Sequence, residues 1–374
     1  MKVFALPGKA LAAWLLLSLA LAACGGGGPE GDADKPLSAG PVRDFHMGIS
    51  SLPPELSEER YEEVFTLAGE FGDLILIQRT PPWEEFLPDG TISDDTIRTT
   101  EAERTLAERN GLALFLAIDL TDGAKGRSRL AALPDDLMGS GFEDADVRAA
   151  FLSYTKYVAL NYQPDYLALG VEMNMYYQHE PEDFDSFVSL YFEAYDAVKE
   201  VSQDTLVFST FQMEELQSLL PTGEIHPPQW HLFRRFEPKL DLLAISTYPS
   251  FAFETPEDIP ADYYEQLRRY TDRPIVIAEM GYSSGPCRQG INDGTEREQK
   301  NFLRNILLRA EAMEMPFLVW FAGWDPAFAT DPPLDLFQHI GLIRADGTKK
   351  PSWYLWAQAA RRPLAEPEDS RAGG

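Results

Sequence analysis

The sequence predicts a single-domain α/β protein, a (β/α)8 TIM barrel, on three observations. From Phe45 onward, eight short apolar runs alternate with amphipathic stretches of helical period. Most of the runs are apolar without interruption for four to six residues, as strands covered on both faces of a parallel sheet require. After the first run come Ser51-Leu52-Pro53-Pro54, where an open doubly wound sheet needs a glycine-rich phosphate loop. The barrel is the better fit.

The strands are expected at 45–50, 74–79, 112–118, 166–172, 205–211, 242–248, 274–280 and 317–320. Helices are expected between them at 57–71, 93–110, 146–162, 184–202, 262–271 and 295–315, with a last one at 352–361. In Ser57-Glu58-Glu59-Arg60 the serine is a fitting N-cap, and the acidic first turn suits the helix dipole. The second helix ends before Gly111. The connection after the fifth strand carries the weakest helical signal, because Pro221, Pro227 and Pro228 interrupt it.

The first residues do not belong to this barrel. Lys2 and Lys9 precede an apolar stretch from Ala10 to Ala23, and Leu21-Ala22-Ala23-Cys24 follows the pattern of a bacterial lipobox. The stretch is short of the ~20 residues a spanning helix needs. The chain therefore divides into a lipoprotein signal at 1–23, a lipid-anchor Cys24 with a Gly- and Pro-rich linker over 24–44, the barrel over 45–362, and a disordered tail over 363–374. The resemblance to lipoproteins implies acylation of Cys24 and a domain held outside the cytoplasm on a bacterial cell envelope, with the outer membrane or cell surface preferred.

Charge narrows the partners. Sixty acidic residues face 32 basic ones, a formal charge of -28 that becomes more negative once Lys2 and Lys9 are removed with the signal. Nucleic acid is excluded as a partner, since a phosphate backbone needs Lys and Arg to displace its counterions. Electrostatic docking on anionic lipid is excluded likewise, leaving the acyl anchor as the membrane contact. With Cys24 lipidated, Cys287 has no cysteine to pair with, and no cluster of metal-ligating residues stands out. No cofactor and no metal are implied. P-loop and HExxH signatures are missing from the sequence, which disfavours NTPase and zincin chemistry.

In a barrel the chemistry is built at the C-terminal ends of the strands. Reading those ends gives His46 in the first strand, Arg79 after the second, Asp119 after the third, Glu172 and Asn174 after the fourth, and Tyr248 after the sixth. Glu279 ends the seventh, and Trp320 with Trp324 and Asp325 follows the eighth. Glu172 and Glu279 are the sharpest pair, because each closes an apolar run, and a buried carboxylate without a partner is costly. Two such acids at one mouth suit glycoside hydrolysis, one protonating the leaving oxygen while the other attacks the anomeric carbon. Arg79 could hold a carboxylate ionised, and Tyr248 could orient the nucleophile. Trp320 and Trp324 could stack on the apolar face of a sugar.

Leu169-Gly170-Val171-Glu172-Met173-Asn174, Ile245-Ser246-Thr247-Tyr248-Pro249 and Val276-Ile277-Ala278-Glu279-Met280-Gly281-Tyr282 together resemble the clan A glycoside hydrolases. Within that clan they are most similar to the family 53 endo-β-1,4-galactanases, and the likeness runs from Phe45 to Ala360. The resemblance implies a retaining double displacement with Glu172 as acid/base and Glu279 as nucleophile. It also implies Tyr248 beside the nucleophile, Arg79 supporting the site and Trp320 in a sugar platform. The substrate would be a β-linked polysaccharide or oligosaccharide, of the galactan, mannan or cellulose kind. The sequence departs from the clan at Val171, where the clan has an asparagine that bonds the sugar 2-hydroxyl, and Asn174 is the candidate replacement. That departure keeps two other readings open. One is a catalytically degenerate carbohydrate-binding lipoprotein on the same scaffold; the other is a barrel enzyme of different chemistry.

Overall fold

The computed structural model describes residues 40–221, 225–286 and 293–365. The signal with Cys24, the linker to residue 39, Cys287 and the tail from residue 366 lie outside the described residues.

Nine parallel strands form one sheet: β1 His46–Ser50, β2 Leu74–Arg79, β3 Ala113–Ile118, β4 Tyr166–Ala168, β5 Leu206–Phe208, β6 Thr210–Gln212, β7 Leu243–Thr247, β8 Ile275–Met280 and β9 Phe317–Trp320. The spatial order is β5-β4-β3-β2-β1-β9-β8-β7-β6. Its two ends, β5 and β6, are consecutive in the chain and separated only by Ser209. They act as one stave, β5 pairing with β4 and β6 with β7, and so the barrel closes. The fifth predicted strand is thus present but broken, and Ser209 at the break turns its hydroxyl to the Gly170 carbonyl at 3.1 Å.

The helices are α1 Glu58–Glu70, α2 Trp83–Phe86, α3 Asp94–Arg109, α4 Ala145–Asn161, α5 Met173–His179, α6 Pro181–Val201, α7 Met213–Leu216, α8 Glu296–Ala312 and α9 Pro351–Ala360. Their starts follow the capping chemistry of the sequence. Ser57, Ser93 and Asp144 accept backbone N–H groups of the first turns of α1, α3 and α4, and Thr295 with Glu298 forms a reciprocal capping box on α8. Pro181 sits at the first turn of α6, where its missing N–H has no intrahelical partner to lose, so the helix begins before the expected residue 184. The helix expected at 262–271 is instead a 3-10 turn, Glu265–Arg269.

Inside the barrel, Phe115, Phe208 and Phe317 pack with ring centroids 5.4 to 6.4 Å apart, and Tyr166 meets Phe317 at 4.6 Å. The interior is therefore filled, which leaves the mouth of the barrel as the place where a ligand could be received. At the opposite face Arg43 pairs with Leu364 and forms an ion pair with Asp73 at 2.6 Å, so the described chain enters and leaves at the N-terminal end of the barrel.

Candidate active site

Two departures from regular strand geometry aim the glutamates. After Ala168 the β4 chain leaves the strand, yet Leu169 N still bonds Phe208 O at 2.8 Å and Thr210 N bonds Gly170 O at 3.0 Å. Gly170 is needed there, since a Cβ would lie 2.8 Å from both Met173 Cγ and Phe187 Cζ. Glu172 then adopts a left-handed φ of 50° and caps α5, its own N–H held by Thr210 Oγ1 at 2.8 Å. On the other side, β8 carries an extra residue against β7. Ile277 pairs with Ile245 while Glu279 pairs with Ser246, which leaves Ala278 bulged. A bulge of this kind re-aims the following side chain, here Glu279.

β7 and the residue just past it supply one hydroxyl to each carboxylate at the mouth. Ser246 donates to Glu172 Oε1, and Tyr248 donates to Glu279 Oε1. The second oxygen of Glu172 accepts from Arg127 Nε at 2.7 Å. Arg127 also reaches Asp119 Oδ1 at 2.6 Å and Thr121 Oγ1 at 3.2 Å, while Gln78 Nε2 holds the other Asp119 oxygen at 2.8 Å. The network therefore runs from Gln78 through Asp119 and Arg127 to Glu172 and Ser246. Beneath it, buried Glu214 accepts from Thr247 Oγ1, the Tyr248 N–H, Gln212 Nε2 and Tyr263 Oη, which fixes the backbone that carries Tyr248.

Electrostatics separates the members. Burial pushes Glu279 up to about 8, reinforced by the negative charge of Glu172 and opposed by the Tyr248 hydroxyl and Arg127. Burial works against the charge on Arg127, but Asp119 and Glu172 outweigh it and hold the guanidinium above its usual range. Burial, then the neighbouring Glu279 charge, raises Tyr248, so its hydroxyl stays a donor.

Several expected site residues lie elsewhere. His46 is the first residue of β1, at the opposite end of the barrel, with Nδ1 3.4 Å from Asp73. Arg79 is ion-paired with buried Glu103, whose oxygens also accept from the Tyr61 and Tyr162 hydroxyls, so its charge supports the barrel wall. Asn174 is fully buried, and its amide clamps the Gln212 backbone in both directions, at 2.7 and 3.0 Å; it cannot turn to a sugar hydroxyl. Val171 is buried in the core. Trp320 is fully buried with its Nε1 on Ile340 O at 3.0 Å, and Trp324 packs under the Arg60 guanidinium at 5.4 Å. Asp325 accepts from buried Lys350 Nζ at 2.6 Å.

The aromatic surface at the mouth is built from other residues. Half-buried Phe321, directly after β9, meets Tyr248 edge-on at 6.3 Å and Phe337 at 5.4 Å, and Phe251 joins them 5.7 Å from Tyr248. Arg127 and Phe321 carried no periodic signal, since each lies in a loop. Arg127 is legible only as the residue after Gly126, the two taking successive left-handed φ values of 62° and 61°. Ser246 stood inside a quoted motif without a role. Among the described residues, no group of three or more His, Cys, Asp or Glu side chains is arranged to hold a metal ion.

No protein-family model matches the sequence, and no curated protein sequence matches it. Solved structures do. The exo-β-1,4-mannosidase Op5Man5 of Opitutaceae bacterium strain TAV5 superposes with a TM-score of 0.63 at 15% identity over 88% of this chain; the chain spans 62% of that longer protein. The GH5_18 protein of Streptomyces cattleya, solved with GlcNAc, gives 0.64 at 16% identity, covering 87% of this chain and 83% of its own. A variant of that protein is solved with Manβ1-4GlcNAc. The β-glucosidase 1317 gives 0.56 at 14% identity over 82% of this chain and 88% of its own. Likenesses at this identity establish the TIM-barrel fold of the chain.

Proposed function

We propose that this protein is a glycoside hydrolase acting on a β-linked hexoside by a two-glutamate double displacement. The observation that carries it is the placement of Glu172 and Glu279 on the hydroxyls of Ser246 in β7 and Tyr248 just past it, at the barrel mouth. Glu279 would attack the anomeric carbon, oriented by Tyr248, while Glu172 protonates the leaving oxygen and later activates water. Phe321 and its aromatic neighbours offer an apolar face to the sugar ring. The mannosidase and glucosidase neighbours favour a β-mannoside or β-glucoside over the galactan suggested by the family 53 resemblance.

Acylation of Cys24 completes the reading. The described chain begins at the N-terminal face, the end of the barrel opposite the mouth. Detergent-phase partitioning of the full chain, lost in Cys24→Ser, tests the anchor.

The enzyme test is release of reducing ends from mannan, β-glucan, galactan and xylan, and of nitrophenol from 4-nitrophenyl β-glycosides. Glu172→Gln and Glu279→Gln run beside the parent. Release that both substitutions abolish supports the hydrolase. Saturable binding of one polymer without release, unaffected by Glu279→Gln, supports the second reading, a carbohydrate-binding barrel. The observation favouring that reading is the Arg127 clamp on Glu172, together with Val171 in place of asparagine.

A further inference from the structure

We propose that Arg127 is a positioning residue that decides which of the two glutamates carries their shared proton. At rest it keeps the charge on Glu172 and the proton on Glu279; catalysis requires the guanidinium to withdraw to Asp119. The proposal rests on the hydrolase reading above, since it concerns the same two carboxylates.

The loop after β3 is built to present this side chain. Thr121 and Leu130 pair antiparallel, Asp122 N bonds Arg129 O at 3.0 Å, Arg127 N bonds Asp122 O at 2.9 Å and Ala131 N bonds Leu120 O at 2.9 Å. Within it Arg127 holds a left-handed φ of 61°, a conformation an L-residue adopts at a cost of about 1 kcal/mol. Surrounding hydrogen bonds sustain that conformation, and the side chain reaches down to Asp119 and Glu172 together.

The groups facing the pair can be named from every side. Arg127 and Asp119 come from the β3 side, Ser246 from β7 and Tyr248 from just past it, while the Thr210 hydroxyl holds the Glu172 backbone N–H. Ser246 and Arg127 are both donors to Glu172, one to each oxygen, an arrangement that suits a carboxylate and opposes a carboxylic acid. Glu279 has the Tyr248 donor on one oxygen, and burial with the Glu172 charge raises it to about 8. Double displacement needs the opposite distribution, an ionised nucleophile and a protonated acid.

Asp119 provides the way out. Gln78 anchors its far oxygen and the guanidinium already touches the near one. When a leaving oxygen enters beside Glu172, Arg127 moves onto Asp119. The Glu279 O–H bond then breaks as a new O–H forms on Glu172. One proton moves and the pair keeps a single negative charge throughout. An ordinary structural arginine would leave the proton's location unchanged when replaced.

The test is a 13C titration of the glutamate carboxyls in the full chain, with the two signals assigned by their loss in Glu172→Gln and Glu279→Gln. In the parent at pH 6, the Glu172 signal is that of a carboxylate and the Glu279 signal that of an acid. Arg127→Gln moves the proton to Glu172 and shifts the pair's titration upward by about one pH unit or more. Arg127→Lys keeps the parental pattern. Asp119→Asn, which leaves the guanidinium to Glu172 alone, shifts the titration downward. A parent with its proton on Glu172, or an Arg127→Gln or Asp119→Asn titration that does not move, overturns the proposal. Where 4-nitrophenyl β-glycosides are hydrolysed, the kcat/KM profile of Arg127→Gln moves to higher pH with the titration. If neither these glycosides nor the polymers are hydrolysed, the hydrolase reading fails, while the titration still decides the role of Arg127.

Discussion

Ser246 and Tyr248 stand two residues apart at the end of β7, and each gives its hydroxyl to a different glutamate. One strand therefore sets the spacing of two carboxylates that arrive from β4 and β8, elements that never pair with each other. The substitutions Ser246→Ala and Tyr248→Phe should have separable effects. A hydrogen bond to a charged group is worth about 1.5–3 kcal/mol, so each lowers kcat about 10- to 100-fold. With a 2,4-dinitrophenyl glycoside, whose leaving group needs little protonation, the Ser246→Ala deficit shrinks while the Tyr248→Phe deficit remains. Equal losses on both leaving groups would contradict the division of roles.

The state of Glu279 predicts how stability varies with pH. Its folded value of about 8 lies above the ordinary carboxyl range, so the folded protein holds a proton that the unfolded chain releases. The group's contribution is complete below about pH 4.5 and falls as pH rises toward 8. The loss is on the order of a few kcal/mol. Glu279→Gln carries no titrating group, so its urea midpoint should fall less than the parent's between pH 5 and pH 8. Parallel pH dependence in the two proteins would show that Glu279 is ionised throughout.

The barrel was readable because its rules are repetitive. Continuous apolar runs, N-cap serines and the acidic first turn of α1 each fixed an element within a few residues. What escaped was irregular. The break at Ser209, the bulge at Ala278 and the left-handed Glu172 are single-residue departures imposed by neighbours across the sheet. Glu172, Glu279 and Tyr248 were visible because each closes a run. Arg127 and Phe321 belong to loops, whose tertiary position no period encodes. Arg79 and Trp320 misled for a related reason: the end of a strand brings a residue to the mouth, but the outward or inward turn of its side chain depends on partners far along the chain.

Arg79 illustrates this. Its partner Glu103, on α3, is 2% exposed and also receives the Tyr61 and Tyr162 hydroxyls. Arg79→Ala leaves a buried carboxylate without its cation, a change worth about 3–5 kcal/mol. The urea midpoint should drop accordingly, while kcat measured well below the transition stays within about twofold. A large loss of kcat in a protein of parental stability would return Arg79 to the active site.

The aromatic surface can be assigned by contrasting two adjacent residues. Trp320 is sealed in the core with its indole N–H on the Ile340 carbonyl, so Trp320→Phe removes one of that carbonyl's two donors, leaving Gln299 Nε2 at 3.2 Å, and opens a small cavity. It should destabilise the barrel by about 1–3 kcal/mol and leave KM unchanged. Phe321 is half-buried and touches Tyr248 and Phe337 at the mouth, so Phe321→Ala removes part of the surface offered to a sugar. A stacked contact of about 1 kcal/mol corresponds to a roughly fivefold rise in KM, with stability little changed. Urea denaturation and initial-rate kinetics on the same two variants decide the matter. A raised KM in Trp320→Phe with a parental KM in Phe321→Ala would make the tryptophan the platform, and would require the mouth to open further than the packing around Ile340 allows.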